Sequence, residues 1–510
     1  MGEISEKQPN MVISTLRHVR VSIGEIACGL AFGCLGAWIS MVFKSLNIFT
    51  DLPQSEGALD AVYLISIITV TVTLVIVARL HAPLGRLFNH AECPIVLGIG
   101  MTIATLLMPL GDVGNTLGFI LSLLAGVLSG VFSGLLLVYI GYVFSFMTMR
   151  SIVIGSAVSS VASALFFALF LPLTTIPALI VSCCMPLISA CFIWFGKRKT
   201  GISFEATATT NNDDTGEDTT MLEPYEVKSL TLKLSLTALF VGLANECART
   251  LYVQMELVSA GGTAYAAMQA WQTFACAVIL IVIALSLLNL KRIRKAACYS
   301  YHLLLVTLLF GAALLPLPML VPQAGSLIPH AINAGALTCF GMLFWVVTAA
   351  FSGHSNGHRI QTFSLIRAGW AAGPLLGLLL GRFILSQGLQ VENVYLASLL
   401  GIFVIMLIEA VVFSEADLMK AMDIMPLERK RRFQEKCEQL ITAYGLTERE
   451  GEIMTLFAKG RNLPYIQEML FLSKSTVSTH RQHIYAKLDI HSQQELIDLV
   501  QSFEAQDRKR

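Results

Sequence analysis

The chain has 510 residues, of which 55% are hydrophobic and 14% charged, and its mean hydropathy is +0.69. A soluble domain carries roughly 25% charged residues, so this composition excludes a protein made for water throughout. The net charge of +1 decides nothing alone, because charges are sparse up to Val412 and dense after Phe413.

Residues 1–21 form a polar arm with Lys7, Arg17 and Arg20, and the first apolar run opens near Ile23. No small-residue cleavage site follows it, so the run reads as a retained span rather than a signal peptide. A helix needs about 20 mostly apolar residues to cross a bilayer, and about twelve such stretches follow. Their expected limits are 22–43, 60–79, 94–111, 116–140, 148–171, 173–195, 231–256, 264–289, 299–321, 326–351, 362–385 and 392–413. Cations collect in alternate connections: Arg79 and Arg86, Arg150, then Lys197, Arg198, Lys199 and Lys228. Lys291, Arg292, Arg294 and Lys295 come next, followed by Arg359 and Arg367. By the positive-inside rule these connections and both termini face the cytoplasm, which implies an inner (plasma) membrane protein with an even number of spans.

The polar, Thr-rich connection 196–229, acidic in its middle, is expected to be disordered and separates a first half, 22–195, from a second, 230–413. Two six-span halves joined by a long inner loop resemble the major facilitator superfamily over about residues 20–413. Gly85-Arg86 is all that matches that family's Gly/Asp/Arg loop signature. "GWAAGPLLG" (369–377) is similar to a Gly-Pro motif of antiporters, but it stands in the eleventh span instead of the fifth. Gly369, Gly373, Gly377 and Gly381 share one helical face, which suits either tight packing or a sliding hinge at Pro374.

A charge at the bilayer centre costs at least about 2.5 kcal/mol unless paired or hydrated. Glu246 and Arg249, three apart in the seventh span, are spaced to pair. In the facilitator-like fold the first and seventh spans hold equivalent places beside a central cavity. The resemblance therefore implies that Glu25, Asn245, Glu246 and Arg249 surround a small-molecule ligand, a purely structural ion pair being the alternative. Gln269, Trp271, Gln272, Asn333 and Trp345 are weaker candidates.

Beyond Ser414 the pattern becomes that of soluble helix. Residues 414–444 form an amphipathic linker carrying Arg429-Lys430-Arg431-Arg432, and 445–510 a compact four-helix unit. Thr447 with Glu450 has capping-box spacing, Pro464 opens a second helix, and Ser473 caps a third on which Val477, Ile484 and Leu488 share a face. The opposite face is free to enter a DNA major groove. "LTEREGEIM", "AKGRN" and "LSKSTVSTHRQHIYAKLDIHSQQELIDL" identify residues 446–500 as resembling the LuxR-type regulator domain. Pro464-Tyr465 and Gln467 depart from that family's pattern on the second helix. The resemblance implies base contacts from Ser478, Thr479 and Gln482 and phosphate contacts from Lys474, Thr476, Arg481 and Lys487. It also implies double-stranded DNA as partner and a homodimer on it. His480 and His483 are possible further contacts. From Leu440 onward nine cations balance nine carboxylates, and the third helix holds no acid. Monomer binding should be modest and salt-sensitive.

The expected fold is thus all-α: a twelve-helix transmembrane bundle with a four-helix DNA-binding domain. Two functions fit it, a membrane-bound one-component regulator that senses a small molecule, or a transporter carrying a regulatory DNA-binding domain. An enzyme is not expected, nor a cofactor or metal. No nucleophile–base pair, ligand cluster or phosphate loop stands out.

Overall fold

The computed structural model describes residues 22–43, 45, 55–111, 116–200, 224–259, 293–321, 327–353, 355, 358–388, 390–408, 412–414, 416–418, 421, 433, 436–437, 439–470 and 472–502. Among them all regular structure is helical. The first half holds α1 (Ile23–Phe43), α2 (Ser55–Arg79), α3 (His81–Asn89), α4 (Cys93–Leu107), α5 (Thr116–Phe144), α6 (Met149–Phe170) and α7 (Thr175–Thr200). The second holds α8 (Pro224–Ser259), α9 (Ile293–Ala313), α10 (Leu317–Leu320), α11 (Leu327–Gly353), α12 (Arg359–Ser386) and α13 (Val391–Leu407). Among the described residues nine helices are long and apolar enough to cross a membrane, and Leu304–Leu320 and Val391–Leu407 are apolar but shorter. The expected eighth span, 264–289, lies outside the described residues with Gln269, Trp271 and Gln272, as do the 1–21 arm and the Arg429–Arg432 run.

Two expectations need correction. The stretch after the second span is not a plain loop but helix α3, because Phe88 is fully buried and stacks edge-on to Tyr139 with ring centroids 5.3 Å apart. The long connection is also shorter than its composition suggests. Helix α7 runs on to Thr200 and α8 begins at Pro224, leaving 201–223 outside the described residues.

Large apolar side chains cover the outside of the bundle: Leu396 is 68% exposed, Leu117 69% and Phe403 62%. Such a surface is stable only against lipid, where backbone polar groups must be satisfied within helices. Inside, α1 packs on α6 and α7, α2 on α5, and α12 on α8, while α2 against α12 makes the broadest contact between halves. The α8–α12 seam is a glycine ladder. A Cβ at Gly369, Gly373 or Gly377 would collide with the carbonyl oxygens of Ser235, Leu239 or Leu243, and one at Gly381 would stand 2.8 Å from the Thr250 Cβ. Backbone lies on backbone along three helical turns, which is the packing reading of these glycines.

The chain divides into two compact units, Met1–Ile424 and Met425–Arg510. The second contains α14 (Glu448–Ala458), α15 (Leu463–Leu470), α16 (Lys474–Leu488) and α17 (Gln493–Ser502). Its core joins Leu440, Ile453, Phe457, Ile466, Val477, Ile484, Leu488, Leu496 and Val500. Thr447 and Glu450 form a reciprocal capping box, Ser473 accepts the Thr476 N–H at 3.1 Å, and Asp489 ends α16 at φ 53°.

Candidate functional site

Two sites emerge, one in each unit, and they are built differently.

In the membrane unit a cavity of about 340 Å³ opens between the halves, lined from α1, α2, α5, α8, α11 and α12. Most of its wall is apolar, with Trp38, Ile67, Leu137 and Trp370 contributing. Its polar groups are few and convergent, the usual pattern of a small-molecule pocket. Asn245, Glu246 and Arg249 all line it. Glu246 Oε1 accepts from Arg249 Nε at 2.8 Å, from Arg249 at 2.5 Å through Nη2, and from the Tyr63 hydroxyl at 3.3 Å. Asn333 donates to the Asn245 side-chain oxygen at 2.9 Å, so a buried amide pair spans α8 and α11 at the cavity wall.

Glu25 does not join them. Its carboxylate accepts from the Ser151 hydroxyl at 2.5 Å and from the Ser22 N–H at 3.1 Å. It stands in the first turn of α1, where a carboxylate compensates unpaired N–H groups. Its place there is that of a cap, which removes the reason to set it beside a ligand.

Arg367 is the cavity residue that sequence reasoning misplaced. Eight residues past Arg359, it reads as one more cation of an inner connection. It is instead inside α12, 9% exposed, and lines the cavity. Its guanidinium carbon lies 5.4 Å from the Trp345 ring centre and 5.3 Å from that of Trp370. Among the described residues it has no carboxylate partner, and its Nε has no hydrogen-bond partner. Trp345 does not line the cavity but backs it, stacked on Phe32 at 3.8 Å.

The second site is the outer face of α16. Val477, Ile484 and Leu488 are buried. Ser475, Thr479, Gln482 and Ala486 are exposed, while Ser478, Thr476 and Arg481 are half-buried. Thr479 donates its hydroxyl to the Ser475 carbonyl at 3.0 Å, which spends its polar atom within the helix and leaves its methyl outward. Thr476 is held by the Ser473 cap, its hydroxyl 2.7 Å from that of Ser473. Lys474 is exposed at the helix start.

Lys487 is less available than its sequence position suggests. Its Nζ lies 2.6 Å from Glu450 Oε2 and 3.3 Å from the Gly445 carbonyl. Glu450 is buried, and the hydrogen bond from Lys487, joined by those from Thr447, holds its carboxyl down at about 2, below the ordinary range. Lys487 therefore ties α16 to the cap of α14. His483 lies 3.9 Å from the same carboxylate. Gln493, which no motif singled out, donates to the Phe457 and Arg461 carbonyls at 2.9 and 3.0 Å and so closes the C-terminal end of α14.

Comparison with known proteins agrees with this division. Residues 445–500 match the family described as "Bacterial regulatory proteins, luxR family". The uncharacterized response regulatory protein YgeK of Escherichia coli (strain K12) is 46% identical over 65 residues, 12% of this chain and 44% of that protein. The oxygen regulatory protein NreC of Staphylococcus haemolyticus is 47% identical over 53 residues, 10% of this chain and 24% of its own. The chain thus spans less than half of these relatives, and the family match lies within the C-terminal unit.

The membrane unit is similar to solved transporters in fold alone. A bacterial homologue of the iron transporter ferroportin, in an outward-facing state, matches with a TM-score of 0.55 at 14% identity, over 78% of this chain and 98% of that one. The human organic anion transporter MFSD10 matches at 0.53 and 12% identity, over 79% and 100%. The body accordingly has a major-facilitator-like fold, and the C-terminal unit is a LuxR-type helix-turn-helix domain.

Proposed function

We propose that the chain is a membrane-bound one-component transcription regulator. A small molecule enters the cavity between the two halves, and its binding alters how the C-terminal domain meets double-stranded DNA. The observation that carries this reading is the pairing, on one chain, of a LuxR-type domain with a body in which the polar groups of Asn245, Glu246, Arg249 and Arg367 converge on one cavity. Ionisable groups in lipid are costly and are kept where they serve. Ligand must bind two states of the body unequally, because equal binding shifts nothing.

Both termini lie in the cytoplasm of an inner-membrane protein, as the cation bias of the connections requires. Ser478, Thr479 and Gln482 read bases, Lys474, Thr476 and Arg481 meet phosphate, and the protein works as a homodimer on its operator. Confinement to the membrane and dimerisation raise the effective concentration of a weakly binding domain.

The transporter-like fold favours a second reading, in which the body also moves its ligand. Purified protein in sealed vesicles separates the two. Accumulation of a bound compound inside the vesicles supports carriage, while binding without flux supports sensing alone. Topology tests both readings: reporters fused after Lys199 and after Phe413 should register the cytoplasmic side, and an outward signal after Phe413 would end the DNA-binding reading.

A further inference from the structure

The charge inventory of the cavity does not balance. Its lining holds two guanidiniums, Arg249 and Arg367, and one carboxylate, Glu246, which is already bound to Arg249. Along the sequence, no acidic residue occurs between Glu256 and Glu392. Arg367 is thus a buried cation left with two indole faces. Cation–π contacts offset part of a buried charge but replace neither a counter-ion nor the hydrogen bonds that a guanidinium lacks.

We infer that Arg367 is the anion-binding residue of this cavity and that its ligand is an organic monoanion, an oxyanion joined to an apolar or aromatic body. The inference rests on the sensing or carrying role proposed above and names its chemical class. A guanidinium presents a planar fork of N–H donors that matches an oxyanion such as a carboxylate. Trp370, beside Arg367 on the cavity wall, suits an aromatic or aliphatic neighbour. The size of the ligand follows from the helices. Gly377 of α12 abuts Glu246 of α8, and Arg367 stands ten residues earlier. At 1.5 Å per residue that is about 15 Å along the helix. The anion therefore sits at one end of an elongated site, and the Glu246–Arg249 pair with the Asn245–Asn333 amides offers hydrogen bonds toward the other.

The test uses full-length protein in lipid nanodiscs, with ω-phenylalkanoates from phenylacetate to 6-phenylhexanoate and their matched primary amides as probes. Tryptophan fluorescence and thermal stability report binding. At least one acid should bind about tenfold to a hundredfold more tightly than its amide. R367K should retain part of that preference and R367M should lose it. Without any probe, R367M should melt no lower than the wild type, because the charge it removes has no partner. Equal binding of acid and amide would overturn the anion assignment while leaving the cavity a ligand site. So would acid preference surviving in R367M, a failure of every acid to bind at millimolar concentration, or a destabilised R367M. If the acids bind with the expected preference but leave a reporter gene unchanged in cells, the regulatory reading fails and the anion assignment stands.

Discussion

Glu246 in the membrane body and Glu450 in the C-terminal unit are both buried carboxylates, 6% and 4% exposed, and each holds one cation. Arg249 sits three residues from Glu246 on the same helix, whereas Lys487 reaches Glu450 from another helix, 37 residues away in the chain. The ion pair on one helix closes no loop of its own, and among the described residues only the Tyr63 hydroxyl ties Glu246 to another helix. It makes two charges bearable in lipid and leaves them at the cavity. A pair between helices does the reverse, since it fastens the recognition helix to the cap of α14 and contributes to the fold. The same chemistry therefore stands at a cavity wall in one unit and between two helices of the framework in the other.

The sharpest way to break this comparison is to strand one charge in the second pair. Lys487→Met should destabilise the isolated 425–510 unit by about 1.5–3 kcal/mol, the range for a hydrogen bond to a charged group, since Glu450 keeps its bonds from Thr447. Urea unfolding measures it, and a loss under 1 kcal/mol would mean the pair is ornamental. Acid should act on the same bond. The Glu450 carboxyl titrates at about 2 in the folded unit against an ordinary 4.5. Its stabilisation is therefore complete above pH 4.5 and lost as pH falls toward 2. The Glu450→Gln/Lys487→Met double variant should lack that part of the acid dependence.

In the body the corresponding experiment separates folding from response. Arg249→Met alone leaves Glu246 stranded and should cost about 2.5 kcal/mol or more. Glu246→Leu with Arg249→Met removes both charges and should come within about 1 kcal/mol of the wild type. That double variant should still insert and bind operator DNA, yet its reporter output should ignore inducer. Normal induction would return the pair to a structural role. Gly373→Ala should cost about 1–3 kcal/mol of overpacking, read as a lower melting temperature in detergent.

The smallest effects lie on the surface of α16. Gln482→Ala should remove about 1–3 kcal/mol of discrimination at one base position. Lys474→Ala should weaken all sequences alike and flatten the salt dependence by about one unit of slope. Gel shifts at two salt concentrations distinguish these outcomes, and an unchanged sequence profile in Gln482→Ala would mean that another face of the helix reads DNA.

The fold was largely legible because both units write it in local patterns. Apolar runs mark most of the described spans to within about five residues, whereas α8 starts seven residues early, α9 starts six early and ends at Ala313, and α13 ends six residues short at Leu407. Thr447, Glu450 and Ser473 declare helix starts through spacings of three. What escaped was set by depth or by distance along the chain. Arg367 looks like a flanking cation because sequence gives its separation from Arg359 and not its depth in the bundle. Glu25 looks like a ligand residue until Ser151, 126 residues away, is seen to donate to it. Gln493 and Lys487 act on groups more than thirty residues distant, and no periodicity predicts such bonds.

The glycine ladder between α8 and α12 has a geometric outcome for whatever enters the cavity. Two helices in contact backbone to backbone at Gly369, Gly373 and Gly377 leave no room for a side chain between them. Arg367 on one and Glu246 on the other are therefore fixed like the jaws of a set gauge. The rest of the cavity wall, from α1, α2, α5 and α11, stands against these two helices as against one rigid block.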